Sequence, residues 1–183
     1  LVIDPIKSLM KDQVDNLLKA QIDACTFINS SIKSRKEKIA NTHKMQRGEV
    51  LFTFVSPERL QMEEFRAVLV EMPEKHKVYF SFCIIDEVHC VSEWGHDFRT
   101  SYLRLGENAM KFCKVKNEGD EIPLFGLTAT ASFDVLADVQ RELKLLDDNA
   151  AIVSSENNSR PELKFEIIKV DDIDTALIAV PKD

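Results

Sequence analysis

Apolar residues follow two rhythms along this chain, and the rhythms alternate. Short apolar runs at 1–3 (LVI), 50–55 (VLFTFV), 78–85 (VYFSFCII) and 124–127 (LFGL) read as strands. Two more are expected at 151–153 and 164–170. Between them apolar positions recur at helical spacing. Residues 8–20 set Leu9, Val14, Leu17 and Leu18 on one side of a helix. Residues 33–46 form a polar helix with Ile39 as its anchor, closed by Gly48. Residues 58–72 predict a helix that Pro73 stops, and 104–116 and 133–145 predict two more. Repeated β-then-α units predict an α/β fold, a mostly parallel sheet with helices on both faces and right-handed crossovers. The run at 78–85 is apolar but for Ser81, as suits a strand covered on both faces.

Composition narrows the picture little. The 183 residues are 44% hydrophobic and 30% charged, ordinary for a folded domain. No stretch approaches the roughly 20 apolar residues of a membrane span. Cys25, Cys83, Cys90 and Cys113 form no CxxC pair and read as reduced thiols. The net charge of −7 gives no bulk basic footprint, so any nucleic-acid contact must use a local patch. The KNEGDE segment (116–121) is a polar surface loop. Residues 171–183 read as a linker or the start of a next domain. The chain opens at Leu1 inside a strand-like run, and the expectation is a piece of a larger protein.

The chemistry concentrates after the apolar run at 78–85. DEVH (86–89) follows it directly, and SEWGHDFR (92–99) comes next. Two carboxylates at the carboxyl end of a parallel strand lie where open α/β sheets bind ligands. Asp86 could hold the water shell of a magnesium ion and Glu87 could polarise an attacking water; a solvated acidic pair is the plain alternative. His89, Cys90 and His96 fit no common zinc spacing. Trp94, His96, Phe98 and Arg99 suit either base stacking or, for the aromatics, tucking into a core. SPER (56–59) opens a helix, with Ser56 as N-cap and Pro57 at N1; its amides could also meet a backbone phosphate beside Arg59. Thr128 and Thr130, in LTATAS (127–132), could bond a neighbouring carboxylate or histidine, or cap the helix that follows.

Taken in order, VIDPIKSLMKDQVD (2–15), FVSPERL (54–60), IIDEVHCVSEWGHDFRTSY (84–102), LTATAS (127–132) and NSRPEL (158–163) resemble the first motor domain of RecQ-type DNA helicases of superfamily 2. The resemblance implies a RecA-like, amino-terminally truncated motor domain over residues 1–170. It implies ATP and Mg²⁺ as cofactors and DNA as partner, with 3′-to-5′ unwinding, no membrane association, and a bacterial cytoplasmic, nucleoid-associated setting. Residue by residue, Asp86 would hold Mg²⁺ of ATP, Glu87 would activate water, and His89 would link the nucleotide site to Thr128 and Thr130. Trp94, His96, Phe98 and Arg99 would belong to an aromatic-rich loop that senses single strands and couples them to hydrolysis. Ser8, Lys11, Ser56 and Arg59 would line the DNA-backbone track. Departures are Val88 where the family has Ala, Thr100 where it often has Pro, and Asp4 and Lys7 in a usually uncharged stretch; an acid at position 4 would repel a phosphate. The family's GxxxxGK[ST] string, expected before Leu1, does not occur in this sequence, and its second motor domain is likewise expected outside it. A non-catalytic helicase-like binding module and another superfamily 2 ATPase, such as an RNA helicase, remain alternatives; the tract at 92–99 weighs against the latter.

Overall fold

The computed structural model describes residues 1–92, 101–102, 104–129, 133–144 and 151–153. Five parallel strands form one sheet: β1 (Val2–Ile3), β2 (Cys25–Ile28), β3 (Phe52–Val55), β4 (Cys83–Ile85) and β5 (Leu124–Gly126), in the order β2-β3-β1-β4-β5. The helices are α1 (Lys7–Lys19), α2 (Arg35–Gln46), α3 (Glu63–Glu71), α4 (Leu105–Phe112) and α5 (Phe133–Leu143). This is the expected RecA-like α/β architecture.

The period-2 alternation of the strands builds the two layers. Val2, Cys25 and Phe54 point to one face, where Met10 and Val14 of α1 cover them. Ile3, Ile28, Val55, Cys83 and Ile85 point to the other and meet Met45, Phe65, Leu69, Ala109, Val139 and Leu143 of the remaining helices. Helices therefore cover both faces. On α1 the anchors are Met10 and Val14, whereas Leu18 is exposed, a correction to the predicted stripe. Ser34 caps α2 through its Oγ, which accepts the Glu37 N–H at 3.2 Å, and Gly48 ends it at φ 69°.

Several predicted elements change. β2 was not foreseen; its four residues pair in register with β3, Cys25 with Phe52 through Ile28 with Val55. The predicted helix 58–72 breaks into a 3₁₀ turn, Pro57–Gln61, and then α3. Pro73 does not stop it. The backbone widens there into a π turn, Met72–His76, which accommodates the proline ring, and Lys77 (φ 56°) closes it by donating to the Met72 carbonyl. The predicted strand 78–85 pairs only over Cys83–Ile85; upstream, the Phe80 N–H turns to the Lys114 carbonyl at 2.9 Å. Helices 104–116 and 133–145 shorten to α4 and α5. Residues 151–153 form no strand, and Val153 is 96% exposed. The predicted strand 164–170 lies outside the described residues. By contacts the chain divides into Leu1–Ala151 and Ile152–Asp183.

α4 and α5 meet at Gly106. A Cβ there would sit 2.8 Å from the Leu143 Cα, inside backbone that cannot move aside. Gly106→Ala is expected to destabilise the fold by about 1–3 kcal/mol, read as a lowered midpoint in thermal unfolding; an unchanged midpoint would mean the helices separate freely at this point.

Candidate active site

All five strands point their carboxyl ends the same way. Asn29, Asp4, Ser56, Asp86 and Leu127 are the residues that directly follow β2, β1, β3, β4 and β5. This edge is where a parallel sheet offers unpaired backbone and outward side chains to a ligand.

Asp86 leaves β4 beside β1, its N–H donating to the Ile3 carbonyl at 2.8 Å. Its Oδ1 accepts the Glu87 N–H at 2.9 Å, which fixes the carboxylate and leaves Oδ2 for a ligand. Glu87 takes a left-handed step, φ 49°, a conformation that non-glycine residues seldom adopt. One 3₁₀ turn follows, Val88–Val91, with Val88, Cys90 and Val91 buried. Val88, larger than the family's Ala, faces Gly126, where a Cβ would come within 3.2 Å of its methyls. The missing Cβ makes room for it.

His89 links the turn to β5. Its Nδ1 lies 2.9 Å from Thr128 Oγ1 and 3.3 Å from Glu87 Oε2. The Val88 N–H donates to the Leu127 carbonyl at 2.9 Å. Asp86, Glu87, His89 and Thr128 thus form one cluster, whereas Thr130, Trp94, His96, Phe98 and Arg99 lie outside the described residues.

Asp4 joins this edge unannounced by any pattern. It is 0% exposed, so it is no surface acid set against a phosphate. Its Oδ1 accepts the Ile6 N–H at 2.7 Å, but its Oδ2 has no partner. Burial, with Asp86 and Glu87 nearby, pushes its carboxyl up to about 6, against the pull of the Ile6 hydrogen bond. A carboxyl raised this way favours folding when protonated: that contribution is full below about 4 and is lost as pH rises through about 6. Asp4→Asn is therefore expected to raise thermal stability at pH 8 by about 1–2 kcal/mol and to match the parent near pH 4. A gain that grows toward low pH would contradict the burial argument.

Ser8 and Lys11 are exposed on α1, one turn apart. Ser56 is 6% exposed and stands at the expected N-cap position with Pro57 after it, its carbonyl accepting the Arg59 N–H at 2.9 Å. The element it opens is a five-residue 3₁₀ turn, and the Ser56 hydroxyl makes no cap bond to it. Arg59 is half-buried, and that burial lowers its pKa.

The donor set suits magnesium. Mg²⁺ takes one or two carboxylates and completes its shell with water and phosphate, and Asp86 Oδ2 offers one hard oxygen at the strand end. Among the described residues no three His, Cys, Asp or Glu side chains converge to hold an ion directly. Nor is any described helix long and apolar enough to cross a membrane.

Comparison with known proteins agrees with this geometry. The family model for DEAD/DEAH box helicases matches residues 1–139. The chain is 36% identical over 169 residues to the ATP-dependent DNA helicase RecQ of Pasteurella multocida, covering 92% of this chain and 24% of that protein. It is 34% identical over 171 residues to the RecQ helicase of Bacillus subtilis, covering 92% and 26%. To the ATP-dependent helicase wrn-1 of Caenorhabditis elegans it is 38% identical over 147 residues, covering 79% and 12%. The chain spans about a quarter or less of the length of these curated relatives.

Proposed function

Because this chain belongs to the DEAD/DEAH box helicase family, we propose that it carries the water-activating side of the ATP site in a RecQ-type DNA helicase, one that couples hydrolysis to 3′-to-5′ unwinding. The observation that carries the reading is the cluster at the end of β4: Asp86 with Oδ1 held by the Glu87 N–H, Glu87 beside it, and His89 within reach of both Glu87 and Thr128. Asp86 would hold Mg²⁺ of ATP through the ion's water shell, and the ion would supply neutralisation of phosphate charge. Glu87 orients the attacking water and takes its proton. His89 ties Glu87 to Thr128; Thr130 shares the coupling role on the strength of the resemblance.

Single-stranded DNA is the proposed activator. Ser8 and Lys11 offer a hydroxyl and an ammonium on one exposed helix face, and Ser56 with Arg59 continues the backbone track. Trp94, His96, Phe98 and Arg99 carry base sensing on the strength of the resemblance. Phe98→Ala is expected to lose about tenfold in DNA stimulation, the order of one stacked base, and to lose less in unstimulated turnover. Equal losses in both would remove Phe98 from coupling.

The test is ATP turnover by the full-length protein with and without single-stranded DNA, and strand separation on a duplex with a 3′ tail. DNA-stimulated turnover with unwinding from the 3′ tail is expected. Turnover that ignores DNA would exclude a DNA motor.

A further inference from the structure

No sequence pattern marks Asp138, midway along α5, yet it holds the far end of the turn that carries Glu87 and His89. That turn is fastened at both ends. At its start the Val88 N–H meets the Leu127 carbonyl and His89 Nδ1 meets Thr128 Oγ1, each at 2.9 Å. At its end Ser92 Oγ donates to Asp138 Oδ2 at 2.6 Å. Asp138 Oδ1 accepts Arg141 Nη2 at 2.7 Å, which fixes the carboxylate's orientation. An O–H to carboxylate bond this short belongs to the stronger class. Between the two fastenings Val88, Cys90 and Val91 are buried in the core, which holds the turn between them. Glu87 enters it in a left-handed conformation, which persists only where its surroundings enforce it.

We propose that Asp138 is a positioning residue for ATP hydrolysis: through Ser92 it fixes the exit of the 88–91 turn, and so keeps Glu87 in its left-handed step and His89 against Thr128. This rests on the reading of Glu87 as the water-activating carboxylate. Asp138 acts through Ser92; it sets the aim of Glu87 and His89 rather than meeting the nucleotide itself.

In the full-length protein, Asp138→Ala is expected to lower kcat for ATP roughly tenfold, the order of one charge-assisted hydrogen bond. KM for ATP should stay within about twofold. Asp138→Asn keeps an oxygen that can accept from Ser92 and should retain most of the parent kcat. Ser92→Ala removes the same bond from the other side, so it should show the same loss and carries the test if Asp138→Ala fails to fold. The double variant should turn over no more slowly than either single variant. Parent-like kcat in Asp138→Ala, losses that multiply in the double variant, or equal losses in Asp138→Asn and Asp138→Ala would each overturn the proposal while leaving the ATPase reading intact. An unsubstituted protein that does not hydrolyse ATP would overturn that reading and this inference together.

Discussion

Glu87→Gln is expected to lower ATP turnover by about 10²–10⁴-fold, the range of a lost general base, while nucleotide binding persists. The amide keeps the size and shape of the side chain, so the left-handed backbone at Glu87 and the turn after it need not change. What disappears is the capacity to take a proton. Asp86 remains, held by the Glu87 backbone N–H rather than by its side chain, so the metal-facing oxygen stays in position. Steady-state turnover measured beside binding of a fluorescent ATP analogue checks both halves. Normal turnover would remove Glu87 from the mechanism; lost binding would mean that its charge serves the nucleotide rather than the water.

His89→Ala is expected to lower DNA-stimulated turnover by about 10–100-fold with little change in KM for ATP. His89 Nδ1 is within reach of both the Glu87 carboxylate and the Thr128 hydroxyl. An Nδ1–H can be shared between the Glu87 carboxylate and the Thr128 oxygen, both of which accept. The imidazole therefore joins the acid on β4 to the segment after β5, and an alanine cuts the joint. Thr128→Val in the His89→Ala background should then add little, because the hydroxyl has already lost this partner. A further large loss would show that Thr128 acts independently of His89.

Much of the sheet was legible because strand alternation is local. Val2 and Ile3, or Ile84 and Ile85, declare opposite faces without reference to anything distant. β2 was not legible: CTFI at 25–28 is only four residues long, and it becomes a strand because β3 supplies a partner edge. The apolar run 78–85 misled for the opposite reason. Phe80 packs against the core without joining the ladder, and hydrophobicity alone does not distinguish the two. Ser56-Pro57-Glu58 announced a helix start correctly but could not reveal that the helix would be a short 3₁₀ turn.

In the site, the place of Asp86 and Glu87 at the carboxyl end of β4 was legible from the apolar run before them, while their roles came from the resemblance. The reach of His89 to Thr128 came from the resemblance, and the geometry gives it a distance. Asp4 and Asp138 were not legible as part of the site. Asp4 is buried through the packing of the sheet edge around it, and Asp138 acts on a serine 46 positions away. Neither relation leaves a trace in local spacing.

Every role proposed above requires Mg–ATP at the carboxyl end of β4. A crystal structure of the full-length protein with Mg²⁺ and a non-hydrolysable ATP analogue would show whether it binds there. The metal is expected one water molecule away from the Asp86 carboxylate, with the Glu87 carboxylate facing the γ-phosphate. A nucleotide bound elsewhere, or one whose metal has no link to Asp86, would contradict it.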